Sequence, residues 1–485
     1  MVCLVRFVAT TLAGLLALGI SAQATGILSS SLQSLEKKCV LSDAWPSGPG
    51  TAFRAQAPPA DLRNILQQIS AANINATITK LVSFGTRSTL SSQTDPVRGI
   101  GAARDWLAAQ MRGIAAKARP GTHVAVEVQT YEQEPASSIP FAVNISNVLA
   151  TITGTEEPNR VYIITGHYDS RNSNVTNFED DAPGANDDAS GVAVALEILR
   201  ILSGLPPPKA TIILGAVAGE EQGLYGATFF AKQMKAAGKD IQGMFTNDIV
   251  GSPTSDKGVI DSHSIRLFAQ GIPSIATLSQ AQSRLSVGGE NDSPARELAR
   301  FVDSVASNSF TDMTVRIIYR VDRFLRGGDH RPFLEQGFPA ARFTEPNENF
   351  AHQHQNVRVD PNTGLQFGDL IEFVDMAFTA RVARVNAAAL WSLAQAPGTP
   401  KGVRLDTSVL TNNSTLSWTL DPSTSVAGYE VLWRGTTDDA WHSVVPVGLV
   451  GQATVQLSKD NALFGVRAVG KNGYRSPAAF PCSGC

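Results

Sequence analysis

The stretch "ATIILGAVAGEEQGLYGATFFAKQMKAAG", residues 210–238, decides the fold. It opens on a continuous apolar run and closes on residues whose apolar positions recur at helical spacing. A strand that is apolar on both sides needs cover on both faces, so it belongs in a sheet held between helices. Between strand and helix stand two adjacent carboxylates, Glu220 and Glu221, with no Lys or Arg nearby to neutralise them. Their position at a strand end is what a functional reading has to explain.

The same alternation extends in both directions. Upstream, "DLRNILQQIS" and "GAARDWLAAQMRGIAAK" read as helices, "HVAVEVQTY" as a half-buried strand, and "NVLATITG" and "VYIITG" as further strands. Next come "GVAVALEILRIL" as helix and, beyond the opening stretch, "GMFTNDIV" as strand. The expected fold class is α/β, with a mixed, centrally parallel sheet sandwiched by helices over residues 61–395. A helical stretch, "LIEFVDMAFTARVARVNAAALWSLAQ", runs into the linker "APGTP" at 396–400. Short alternating strands with turn signals then fill 401–485, the pattern of an all-β sandwich, with Trp418 as its buried tryptophan. Tyr429 and "FGVRAVGKNG" resemble the fibronectin type III pattern.

The chain has 485 residues, enough for one large domain and a smaller one, and a formal net charge of −3. With no long basic run, nothing favours nucleic acid or an anionic membrane surface as partner. At the N-terminus, "FVATTLAGLLALGI" follows Arg6 and precedes Ala22-Gln23-Ala24, which has the form of a signal-peptidase site. Residues 1–24 are therefore expected to be a signal peptide and the mature protein to be secreted, with no membrane anchor. Residues 25–60 read as an arm or pro-segment. Of the four cysteines, Cys39, Cys482 and Cys485 remain after the signal, an odd set that allows one disulfide of unassigned pairing.

In open α/β sheets, ligands bind beyond the carboxyl ends of the strands. That rim here collects His167, Asp169, Asp187, Glu220, Glu221 and Asp248. Ionised carboxylates gathered in one crevice repel one another and resist desolvation, which bound cations relieve. Two divalent ions contribute as much positive charge as Asp187, Glu220, Glu221 and Asp248 contribute negative. Imidazole and carboxylate ligands without thiolate suit zinc and admit manganese or cobalt. Asp169, two residues after His167, is placed to orient that imidazole.

"GHYDS", "GANDDASGVA", "GEEQGLYGA", "TND" and "NFAHQHQN", in that order across about residues 75–390, resemble the M28 family of dizinc aminopeptidases. The resemblance implies two zinc ions, one held by His167 and Asp248, the other by Glu221 and His352, with Asp187 bridging both. It makes Glu220 the general base and implies a cis peptide at Asp187-Asp188. The last ligand rests on spacing, because the family places Asp four residues after it. This chain has Asn356 there, and His354 is a rival to His352. "RGGDHRPF" resembles a family segment, and Asp329 and His330 within it read as structural.

The adjacent glutamates then divide the labour: Glu221 binds metal, while Glu220 takes a proton from the attacking water and passes it to the departing amine. The expected function is a secreted aminopeptidase acting on peptides with a free N-terminus. One rival is a glutaminyl cyclase-like enzyme with a single zinc. The other is a non-catalytic receptor or adhesion protein whose working part is the C-terminal module, of unknown partner. The chain lacks "HExxH" and "GxSxG", the signatures of other hydrolase sites.

Overall fold

The computed structural model describes residues 45–482. The expected signal peptide, most of the N-terminal arm, Cys39 and Cys485 lie outside them. Cys482 is disulfide-bonded. From Pro49 onward the chain forms one compact unit.

After a short strand β1 (Thr51–Ala52) come helices α1 (Ala60–Gln67), α2 (Ala71–Val82) and α3 (Ile100–Ala115). Strands β2 (Val124–Gln133), β3 (Val143–Ile152) and β4 (Glu157–His167) lead to α4 (Ala189–Leu202) and β5 (Ala210–Val217). The one-turn helix α5 (Glu220–Gly223), α6 (Tyr225–Ala236), β6 (Asp240–Asn247) and β7 (Ser264–Ala269) follow. Then come α7 (Leu278–Ser286), α8 (Pro294–Ala306), β8 (Thr314–Ile318), α9 (His330–Glu335) and β9 (Ala340–Thr344). A small hairpin, β10 (Arg358–Val359) and β11 (Gln366–Phe367), precedes the long helix α10 (Met376–Gln395).

Eight strands make one mixed sheet in the order β2-β3-β5-β4-β6-β9-β7-β8. Its centre, β5-β4-β6-β9, is parallel, while β2, β3 and β7 join antiparallel neighbours. The two-residue period of a strand sends alternate side chains to opposite faces. Tyr162, Ile164, Ile212 and Leu214 pack with α2, α3, α4 and α10. Val161, Ile163, Ile213 and Val217 pack on the other face with Phe230 of α6 and Phe333 of α9. Every residue of β5 is buried, as the opening stretch requires.

Helix α10 starts at Met376 because the Asp375 side chain accepts from the amides of Ala377 and Phe378, capping it there. The C-terminal region holds β12 (Lys401–Leu405), β13 (Ser414–Thr419), β14 (Val426–Gly435), β15 (Ser443–Gly448), β16 (Gln452–Val455) and β17 (Ala462–Gly470). These form two antiparallel sheets, β12-β13-β16 and β15-β14-β17, around Leu416, Trp418, Val431 and Phe464. β1 adds to the edge at β15, so residues 51–52 of the expected arm are a strand of this region.

Residues 396–400 are pinned along their length. The Ala396 carbonyl accepts from Arg160 at 2.8 Å, and the Thr399 amide donates to Gln242 at 3.0 Å. Across the same junction Arg434 donates to both oxygens of buried Asp292, at 2.6 and 2.8 Å, and Trp441 donates to Glu297 at 2.9 Å. Asp61 accepts from Trp391 and from Tyr474, tying α1, α10 and the C-terminal region at one carboxylate.

Candidate metal centre

Because β4, β5 and β6 run parallel, their carboxyl ends reach one edge of the sheet. His167 is the last residue of β4, Glu220 and Glu221 begin α5 just beyond β5, and Asp248 follows β6. Asp187 stands in the loop before α4, and the Asp187-Asp188 peptide is cis. Asp188 joins that loop to the sheet: one carboxylate oxygen accepts from the His167 amide at 3.0 Å, the other from Gly191 at 2.9 Å. Gly191 is required there, since a Cβ would lie 2.1 Å from the Asn247 carbonyl oxygen.

Two groups of donor atoms result, and they share Asp187. In the first, His167 Nε2 is 3.0 Å from Asp187 Oδ1 and 3.9 Å from Asp248 Oδ2. In the second, His354 Nε2 is 2.8 Å from Asp187 Oδ2 and 3.1 Å from Glu221 Oε2. Each oxygen of one carboxylate thus faces a different imidazole. Glu220 belongs to neither group and approaches His167 Nε2 only to 4.0 Å.

The structure brings His354, and not His352, to the cluster, which corrects the choice made from spacing. The His352 ring stacks on Phe373 with centroids 3.5 Å apart. Chain direction explains the exchange: His354 has a φ of +53°, a left-handed conformation that turns its side chain inward two residues later than the motif suggests. Asn356 accepts from the Ser173 amide and hydroxyl.

The residues fit divalent cations. His167 Nδ1 faces the main-chain oxygen of Asp169 at 3.1 Å; donating there leaves the Nε2 lone pair free. That Nε2 and Glu221 Oε1 are buried without a hydrogen-bond partner. On the other imidazole, Nδ1 of His354 lies 3.0 Å from Arg326 Nη1. A guanidinium only donates, so offering Nε2 to a cation with Nδ1 protonated requires Arg326 to turn away.

Without cations the cluster is electrostatically costly. Burial pushes Glu220 well above the ordinary glutamate range; Asp248 and Glu221 add to this and His167 opposes it. Burial also raises Asp248, against the neighbouring Arg342. Asp187 is held well below its usual range: burial opposes its charge, but His354 and His167 outweigh it.

Of the supports around the cluster, Asp369, Arg87 and Arg342 had no signal in the sequence. Asp369 accepts from the amides of Asn186 (2.8 Å) and Asp187 (2.7 Å), fixing the bridging loop. Arg87, fully buried, donates to the carbonyls of Tyr168 and Gly184 on both sides of that loop. Arg342 pairs with Asp248 at 2.7 Å. Asp169 acts mostly through Oδ2, which accepts from the Glu221 amide (3.1 Å) and the Thr89 hydroxyl (3.2 Å); its Oδ1 is 3.4 Å from His167 Nδ1. Asp169 is thus a positioning residue joining the ends of β4 and β5. His330 is buried with Nε2 2.8 Å from the Val321 carbonyl, and Asp329 is buried beside it.

Above the cluster opens a cleft of ≈ 360 Å³. Leu224, Ile249, Leu325 and His354, four of the five described non-glycine residues with positive φ, line it. Such backbone strain concentrates where surrounding structure holds a functional site.

An α/β sheet of this topology, with carboxylates and imidazoles paired around a shared Asp at its carboxyl edge, defines the zinc-exopeptidase class of fold. Residues 147–371 match the model of peptidase family M28. A probable zinc metalloprotease of Pyrenophora teres f. teres is 58% identical over 441 residues, 90% of each chain. Another, from Pyricularia oryzae, is 54% identical over 445 residues, covering 90% of this chain and 88% of the relative. The chain belongs to peptidase family M28. The LapA aminopeptidase of Legionella pneumophila, at 16% identity, shares the fold with a TM-score of 0.51 over 71% of this chain and 78% of its own.

Proposed function

We propose that this protein is a secreted aminopeptidase that holds two divalent cations, zinc foremost, and removes the first residue of peptides with a free N-terminus. The observation that carries the reading is Asp187, whose two oxygens face two separate sets of donors. His167 and Asp248 would hold one cation, Glu221 and His354 the other, with Asp187 between them. Bound there, such ions lower the pKa of water and polarise a carbonyl.

Glu220 supplies the proton transfer. It lines the cleft and lies outside both donor groups, so its carboxylate is left over to exchange a proton with the attacking water. It accepts a proton from the attacking water and delivers it to the amine that leaves. Asp169 and Asp369 keep Glu221 and Asp187 in place through their backbone amides. Export rests on the apolar leader and the Ala22-Gln23-Ala24 site, and the fibronectin III-like reading of the C-terminal module on its Trp418 and Tyr429 core.

The test is hydrolysis of an unblocked amino-acid anilide and its N-acetylated form, with and without a chelator, alongside metal stoichiometry. The expected result is cleavage of the unblocked substrate only, lost on chelation, with two ions per chain. Equal cleavage of the blocked substrate, or one ion per chain, would overturn the reading. Glu220→Gln should keep both ions and lower kcat by about 10²- to 10⁴-fold.

A further inference from the structure

The cleft over the candidate metal centre has a floor of carboxylates and arginines around them: Arg171 from the loop after β4, and Arg323, Arg326 and Arg331 from the segment between β8 and β9. Arg323 is neutralised by Glu348 at 2.7 Å and Asp322 at 3.3 Å. The other three have no ion-pair partner among the described residues. Arg171 donates to the carbonyls of Asn172 and Ser173, both at 3.0 Å; Arg326 donates to Gln353 at 3.0 Å and, through Nη1, faces His354 Nδ1 at 3.0 Å, the contact it gives up when His354 holds a cation with Nδ1 protonated. The exposed Arg331 side chain has no hydrogen-bond partner among the described residues.

If the floor carboxylates hold cations, as the proposed function requires, their charge is spent and these guanidiniums face the substrate uncompensated. A guanidinium presents a planar fork of donors that matches a carboxylate in geometry and charge. A neutral or basic residue gains nothing from three such groups and suffers repulsion if it is cationic.

We propose that Arg171, Arg326 and Arg331 form a carboxylate subsite, so that the protein selects peptides bearing an acidic group close to the residue it removes. Two sources share this chemistry: the side chain of Asp or Glu, and the terminal carboxylate of a di- or tripeptide. The inference rests on the aminopeptidase reading for its biological use, but binding can be measured without turnover.

The experiment uses the full chain loaded with zinc and carrying Glu220→Gln. Calorimetry compares Leu-Glu-amide with Leu-Gln-amide, which differ only in side-chain charge, and Leu-Gly with Leu-Gly-amide, which differ only at the terminus. At least one acidic member should bind about 10- to 100-fold more tightly than its neutral mate, and the pair that shows it identifies the source. Adding Arg331→Gln or Arg171→Gln should shrink that ratio, and so should raising the salt concentration. Equal affinities within both pairs, or a ratio untouched by either arginine substitution, would overturn the subsite. In the parent protein, acidic peptides should be cut faster than neutral ones. Tight acidic binding with no cleavage of any peptide would keep the subsite and remove the aminopeptidase reading.

Discussion

The imidazole of His354 stands 2.8 Å from Asp187 Oδ2, completing a second group of donors that shares its carboxylate with the first. His352 is engaged elsewhere, stacked on Phe373. His354→Ala should therefore remove one cation per chain and lower kcat/KM by at least about 100-fold, the upper range seen when even outer supports of a metal are lost. His352→Ala should keep both ions and most activity. Elemental analysis after gel filtration reads the difference, and loss of metal from the His352 variant in place of the His354 variant would reverse the assignment.

The exchange shows what a chain does and does not disclose. The strands, their burial and the rim residues His167, Glu220, Glu221 and Asp248 were legible because period and position determine them: an apolar run must be interior, and its carboxyl end must reach the crevice. His354 was less legible because a left-handed φ in a loop leaves no pattern behind, and two histidines two residues apart differ only in which way the backbone turns. Asp369 and Arg87 were silent for another reason. They act on backbone amides and carbonyls far away in sequence, and one-to-one partnerships at that separation have no periodicity to read.

Asp369 is the sharper test of that second group. Both of its oxygens are acceptors for adjacent amides, so Asp369→Asn places an NH2 against one N–H and loses a charge-assisted bond. The substitution should loosen the Asp187 loop, weaken zinc affinity by about 10- to 100-fold and leave the fold intact. Competition with a chromogenic chelator measures it. Unchanged affinity would mean the loop holds its shape without this carboxylate.

Removing the cations should also destabilise the protein, since Asp187, Glu221 and Asp248 are buried together and repel once uncompensated. At zinc concentrations about 100 times the dissociation constant, binding to the folded state alone adds roughly 2.7 kcal/mol. Calorimetric melting before and after chelation should show a lower Tm for the stripped protein that returns on adding zinc. Identical melting curves would indicate that no ion is held at this cluster.

His330 should make stability fall in acid. Burial lowers its pKa from 6.5 to about 4, outweighing Asp322 and the bond from Nε2 to the Val321 carbonyl, which both favour the charged ring. Between those pH values the unfolded chain binds a proton that the folded one refuses, so stability is full above 6.5 and is lost as pH falls toward 4. The contribution is on the order of 3 kcal/mol for a shift of this size. His330→Gln retains an N–H for Val321 and cannot titrate, so the stability gap between parent and variant should narrow by roughly 2–3 kcal/mol between pH 7.5 and 4.5. Urea unfolding of both across that range reads it, since the metal ligands titrate alike in the two proteins and cancel. Parallel curves would show that His330 carries the same charge folded and unfolded.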